Sequence, residues 1–155
     1  MDKIESFKID HLRLMPGLYV SRKDCNSGCT VTTFDMRITA PNREPVMDMP
    51  AIHTIEHLGA TFLRNSDIKD KIVYFGPMGR RTGFYFLVFG DEIPEEIAGT
   101  VLDMCDFILN FKGDIPGALP SECGNYSEQN LEMAKYYIRR YKKDISENKR
   151  FVYPD

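Results

Sequence analysis

A chain of 155 residues can bury a core of its own without disulfides or metal staples, and its 43% hydrophobic and 28% charged residues form no repeat or low-complexity tract. A formal net charge of -3 and a pI near 5.6 leave no basic footprint for nucleic acid, and the longest apolar run, Phe84 to Phe89, is far too short to span a bilayer. The amino-terminal stretch MDKIESFKID is charged from its second residue and lacks the apolar centre and cleavage site of a secretion signal. A cytoplasmic protein is therefore expected, in which Cys25, Cys29, Cys105 and Cys123 are free thiols.

In chain order, CTVTTFDMRIT alternates as a half-buried strand does, with Phe34, Met36 and Ile38 on one face and Thr33, Asp35 and Arg37 on the other. Arg37 thus points away from that strand's apolar face. After the turn-like PNREP, Pro50 is well placed to start a helix, and AIHTIEHLGATFLRN carries its apolar residues at helical spacing. KIVYFG and TGFYFLVFG read as two further strands joined by the loop PMGRR. IPEEIAGTVLDMCDFILNF is an amphipathic helix with acids in its first turn, and Cys105 falls beside its stripe of Ile97, Val101 and Ile108, in the core. A Gly/Pro-rich link, KGDIPGALP, leads to SECGNYSEQ and a last helix through about Tyr141, with Leu131, Ala134, Ile138 and Tyr141 inward. The cluster Arg139, Arg140, Lys142 and Lys143 would close that helix, where cations suit the dipole. Strands gathered early and helices without a βαβ rhythm predict an α+β fold, one antiparallel sheet packed against helices, in a single domain over residues 1–155.

The chemistry is concentrated in His53-Thr-Ile-Glu-His57. At about 100° per residue, His53, Glu56 and His57 share one face of the helix while Ile55, Leu58, Gly59 and Phe62 take the opposite side, so the motif face is not the core face. Two imidazoles one turn apart can grip a single ion, with Glu56 beside them to move protons. Surface histidines arise on amphipathic helices by chance, yet the chain has only three and two of them flank this Glu. The string also fits H-x-x-E-H, the inverted zinc-peptidase motif, but that motif needs a downstream acidic ligand and a larger peptide-binding fold. Joining Cys25-x-x-x-Cys29 to the histidines would make a structural zinc module; the gap is longer than in ordinary fingers, and the two cysteines read instead as hairpin residues. Cys123, before Gly124 and the expected last helix, is the stronger third ligand, since helix N–H groups would favour its thiolate. Two imidazoles and a thiolate leave one coordination position open, as catalytic sites do, and suit iron(II), zinc or cobalt.

Ser6-Phe, Asp10-His11, Phe34-Asp-Met-Arg37 with Pro41-Asn42, His53-Thr-Ile-Glu-His57, Gly76-Pro-Met-Gly79 with Arg81-Thr-Gly-Phe-Tyr85, and Glu122-Cys-Gly-Asn-Tyr126 together resemble the S-ribosylhomocysteine lyases, the LuxS family that makes the autoinducer-2 precursor. The resemblance runs in order along nearly the whole chain. It implies an α+β homodimer with two active sites at the subunit interface and one divalent metal per chain, usually Fe2+, held by His53, His57 and Cys123. It implies cleavage of S-ribosylhomocysteine into homocysteine and 4,5-dihydroxy-2,3-pentanedione by carbonyl migration and β-elimination. Glu56 would be one proton carrier, and Ser6, His11 and Arg37 would help hold the substrate.

One position departs from the family pattern in a way that bears on turnover. Where Gly-Pro-Met-Gly is followed in the family by a Cys that serves as the second acid/base group, this chain has Arg80. Tyr74 stands where many members carry an Asp that contacts the sugar. Arginine stays protonated at physiological pH and cannot accept a proton as a thiolate does, so slow turnover is expected, with Arg80 paired to Glu56. The competing expectation is a binding protein that keeps the pocket for ribosylated thiols without cleaving them.

Overall fold

The computed structural model describes all of residues 1–155. Four antiparallel strands form one sheet, β1 (Gly17–Asn26), β2 (Cys29–Arg37), β3 (Ile72–Pro77) and β4 (Gly83–Phe89), in the order β1-β2-β4-β3. Three long helices, α2 (Met49–Arg64), α3 (Pro94–Asn110) and α4 (Leu131–Asn148), pack on one face, and a short helix, α1 (Glu5–Lys8), precedes the sheet. The α+β expectation therefore holds. Leu18, Phe34, Met36, Phe84, Phe86 and Val88 face the helices and meet Ile55 and Leu58 of α2, Val101 and Ile108 of α3, and Ile138 of α4 in one core. Period-two alternation on the strands and helical stripes on α2 to α4 predict these contacts, because each element has a single apolar face to hide. Two residues beyond the HTIEH motif, α2 approaches the sheet at Gly59, where an added Cβ would lie 2.4 Å from the Phe75 ring. That close approach holds the histidine turn at a set height above β3.

β1 is missing from the strands expected from the sequence. Its first half alternates inward Leu18 with outward Tyr19, but a bulge between Val20 and Arg22 breaks the period, and Arg22, Lys23 and Asp24 extend as an exposed hairpin arm. The arm turns at Ser27 and Gly28, both left-handed with φ of 52° and 78°, which suits the twist of a two-residue hairpin. Cys25 pairs with Thr30 and Asn26 with Cys29, so Cys25 and Cys29 project to opposite faces of the arm and cannot share an ion. They are hairpin residues, and the zinc-module alternative loses its cysteine half.

The last helix runs to Asn148, well past Tyr141, because Ile145 is also buried, worth about 1.5–3 kcal/mol for a side chain of its size. The basic cluster consequently lies within the helix and does not close it. Two of its members find partners: Arg140 pairs with Glu44 at 3.0 Å and lies over the Tyr136 ring, and Lys142 pairs with Asp106. Cys105 is fully buried in the core as expected, and burial pushes its thiol up to about 12. With a disulfide-exchange reagent at pH 8, Cys25 and Cys29 should react within seconds and Cys105 only after denaturation. A fast reaction at Cys105 in the native protein would contradict this packing.

Candidate metal centre

α2 buries Ala51, Ile52, Thr54, Ile55, Leu58, Gly59 and Leu63, which leaves His53, Glu56 and His57 half-buried on its other side. A polar helix face needs a second surface to become a site, and the chain supplies much of it from the segment between α3 and α4. His53 Nδ1 lies 2.8 Å from the Glu128 carbonyl oxygen and His57 Nδ1 lies 2.7 Å from that of Pro116. A carbonyl can only accept, so both Nδ1 atoms carry the proton and both Nε2 lone pairs are free for an ion. Gly117 permits this close approach: its φ is +73°, and a Cβ there would lie 3.1 Å from His57 Nδ1.

The two Nε2 atoms are 2.9 Å apart, and Cys123 Sγ is 3.4 Å from that of His53. The three donor atoms lie within 4.8 Å of one another. With both Nδ1 protons committed to carbonyls, two imidazole lone pairs and a sulfur converge on one point, an arrangement that repels unless a positive centre lies between them. A divalent cation with mixed nitrogen and sulfur preference fits that donor set, and three protein ligands would leave a further coordination position. The expected helix N-terminus behind Cys123 is not found, because residues 119–130 are turns and irregular backbone and α4 begins only at Leu131. The Asn125 N–H donates to Cys123 Sγ at 3.4 Å, and His53 Nε2 lies at the same distance from that sulfur.

The other expected site residues form a second group. His11 Nδ1 donates to the Ile9 carbonyl at 2.8 Å, which leaves Nε2 as an acceptor, and Arg80 Nη1 donates to it at 3.0 Å. Arg80 also donates to Tyr85 Oη at 3.2 Å. This corrects the expected Arg80–Glu56 pair: the loop after β3 directs the guanidinium to the amino-terminal segment, where a fixed lone pair awaits it, and no salt bridge of the chain includes Glu56. The neighbouring Arg81 has φ of +63°, a strained backbone of the kind that gathers at functional loops, held by its bonds to the Met47 carbonyl. Ser6 lines a cavity of about 360 Å³ with Tyr74, Tyr85, Thr33 and Leu87, on the sheet face away from the long helices. No hydrogen bond or ion pair joins this group to the histidine–cysteine cluster.

Arg37 lies on the face that alternation assigns to it, but only 1% exposed. It donates to Asp35 Oδ2 and to Thr82 Oγ1, both at 2.6 Å, and Tyr153 donates to the same Asp35 oxygen at 2.8 Å. Tyr153 also stacks on Tyr19 at 4.6 Å, so the carboxy-terminal segment packs over this part of the sheet. Asp35 was legible as a partner, since it shares a strand face with Arg37 at a spacing of two. Tyr153 was not, being 118 residues away, and the Glu128 and Pro116 carbonyls carry no side-chain signal at all.

Comparison with known proteins bears on this geometry. The family model described as S-Ribosylhomocysteinase (LuxS) matches residues 4–152. A protein of Finegoldia magna named S-ribosylhomocysteine lyase is 54% identical over all of both chains. One of Clostridium acetobutylicum with the same name is 51% identical, again over all of both chains. One of Borreliella burgdorferi, also so named, is 55% identical over 91% of this chain and 90% of its own.

Proposed function

This chain belongs to the S-ribosylhomocysteinase (LuxS) family, and from that premise we propose that it binds S-ribosylhomocysteine at a centre built on His53, His57 and Cys123 and cleaves it slowly to homocysteine and 4,5-dihydroxy-2,3-pentanedione. The observation that carries this reading is the convergence of two Nε2 lone pairs and a thiol sulfur, with each Nδ1 tied to a backbone carbonyl. The atoms of the two products sum to those of the substrate, so no oxidant or further reactant is required. A divalent cation held by these three residues, with iron(II) the first expectation and zinc or cobalt the others, would supply a Lewis acid for carbonyl oxygens.

The chain's own groups divide the remaining work. Moving a carbonyl along a ribose requires removal of a proton from the adjoining carbon at each stage, and β-elimination then breaks the carbon–sulfur bond and releases the thiol. Glu56, on the same face as the two histidines and half-buried without an ion pair, is the proposed proton carrier. Ser6 offers a hydroxyl for sugar hydroxyls, and His11, whose Nε2 Arg80 occupies, and Arg37, held by Asp35 and Thr82, are the other proposed substrate contacts. Arg80 donates but never accepts, so the second proton carrier is missing. Its bonds to His11 and Tyr85 also support the second reading, a protein that retains ribosylated thiols without cleaving them.

Two of these proposals are tested without turnover. The chain should contain one divalent metal, lost in Cys123→Ala and kept in Cys25→Ala; the reverse pattern would discard the centre. A homodimer is proposed because Ser6, His11 and Arg80 lie apart from the metal ligands within one chain, and because Ile4 and Tyr74 at the outer cavity, with Phe7 and Leu12 in the amino-terminal segment, are exposed apolar side chains. Light scattering should give twice the mass of 17.9 kDa, and a monomer at micromolar concentration would refute the dimer.

A further inference from the structure

Thr54 sits between His53 and Ile55 on α2 and is fully buried. A threonine inside a helix commonly returns its hydroxyl to the carbonyl four residues back, as Thr61 does to His57 at 2.7 Å. Thr54 instead donates to Gln129 Oε1 at 2.7 Å and accepts from the Asn130 N–H at 3.0 Å. Asn130 caps α4 by accepting from the Met133 N–H, so the hydroxyl is tied to the start of that helix. Immediately before it, the Glu128 carbonyl takes the His53 Nδ1 proton, and Gln129 Nε2 packs at 3.3 Å against the same nitrogen. Two neighbours on α2, His53 and Thr54, therefore grip three neighbours on the connecting segment.

We infer that Thr54, through Gln129 and Asn130, is a positioning residue for the metal ligand His53: its hydroxyl holds the Glu128 carbonyl where it sets the ring's tautomer and plane. The inference rests on the metal-centre reading above. A backbone carbonyl at the end of a long irregular segment has no rigidity of its own, whereas Thr54 belongs to a helix packed on the sheet. Besides the 3.3 Å approach of Gln129 Nε2 to His53 itself, the hydroxyl makes the side-chain hydrogen bonds from α2 to residues 129–130, and both of its hydrogen-bonding capacities are used. Thr54 does not touch substrate or ion. Groups that orient a ligating histidine typically change metal affinity by about 10- to 100-fold when removed.

Cobalt(II) titration of the metal-stripped full chain, against a competing chelator and followed by the thiolate-to-cobalt absorption, tests this without turnover. Thr54→Val should bind cobalt about 10- to 100-fold more weakly, with an altered band, and Thr54→Ser should recover most of the affinity. Thr32→Val is the matched control, since that buried hydroxyl also donates once and accepts once, to Gly90 and from Glu92, far along the chain from the ligands. It should lower the melting temperature and leave cobalt affinity unchanged. If Thr54→Val does not fold, Gln129→Ala removes the hydroxyl's acceptor while keeping its bond from the Asn130 N–H, and should show a weakening in the same direction. Unchanged affinity in Thr54→Val or Gln129→Ala, or equal loss in Thr32→Val or Thr54→Ser, overturns the inference. A parent chain that binds no cobalt overturns the metal reading and this inference with it, an outcome distinct from either.

Discussion

Arg80→Cys is expected to release homocysteine from S-ribosylhomocysteine roughly 10²- to 10⁴-fold faster than the parent chain, the usual worth of one general acid/base group. Three effects point the same way. A thiol can cycle between donor and acceptor, which a guanidinium cannot at physiological pH. Loss of the guanidinium frees His11 Nε2, whose lone pair Arg80 occupies at 3.0 Å, for a substrate hydroxyl. It also frees Tyr85 Oη, beside the cavity that Ser6 lines. The first effect acts on kcat and the other two on binding, so KM should fall while kcat rises. The measurement is a coupled thiol-release assay on metal-loaded parent and variant, with calorimetric binding of substrate to both. Equal rates would show that position 80 carries no proton in this chain. An inactive variant that still binds substrate would favour the binding-protein reading, with Tyr74 the next position to exchange.

Asp35→Ala should destabilise the fold by about 3–5 kcal/mol, lowering the melting temperature by roughly 6–20 °C for a chain of this size. Asp35 and Arg37 are each 1% exposed and 2.6 Å apart, so deleting the carboxylate strands a cation that water cannot reach. The surroundings offer little relief, because Arg37 Nε, Asp35 Oδ1 and Thr39 Oγ1 already lack hydrogen-bond partners. Tyr153→Phe removes only one bond to that carboxylate and should cost about 1.5–3 kcal/mol. Exchanging both charges, Asp35→Leu with Arg37→Met, should recover most of the loss, since an apolar pair of similar volume removes the desolvation burden. A melting temperature within 3 °C of the parent for Asp35→Ala would mean that the pair is wet.

Much of this could be read before folding because it depends on periodicity. Phe34, Met36 and Ile38 alternate with Asp35 and Arg37 on β2, and the apolar stripe of α2 leaves His53, Glu56 and His57 together whatever the rest of the chain does. Both patterns follow from backbone geometry alone, which sets a period of two or 3.6 regardless of tertiary context. β1 escaped because its bulge and charged arm destroy the alternation, and the end of α4 escaped because Ile145 stands alone beyond a charged stretch.

The sequence by itself determined the α+β class and the shared helix face of His53, Glu56 and His57, since each resides in residue type and near-neighbour spacing. Which lone pairs face one another was decided only by the tertiary structure, through the Pro116 and Glu128 carbonyls, as was the partner of Arg80, which is His11 and not Glu56. The burial of Arg37 beside Tyr153 was decided there too. Such contacts join residues about 60 to 120 positions apart, and many are made by backbone oxygens that every residue carries. Composition and spacing hold no record of them, because a hydrogen bond forms only where folding has brought donor and acceptor within reach.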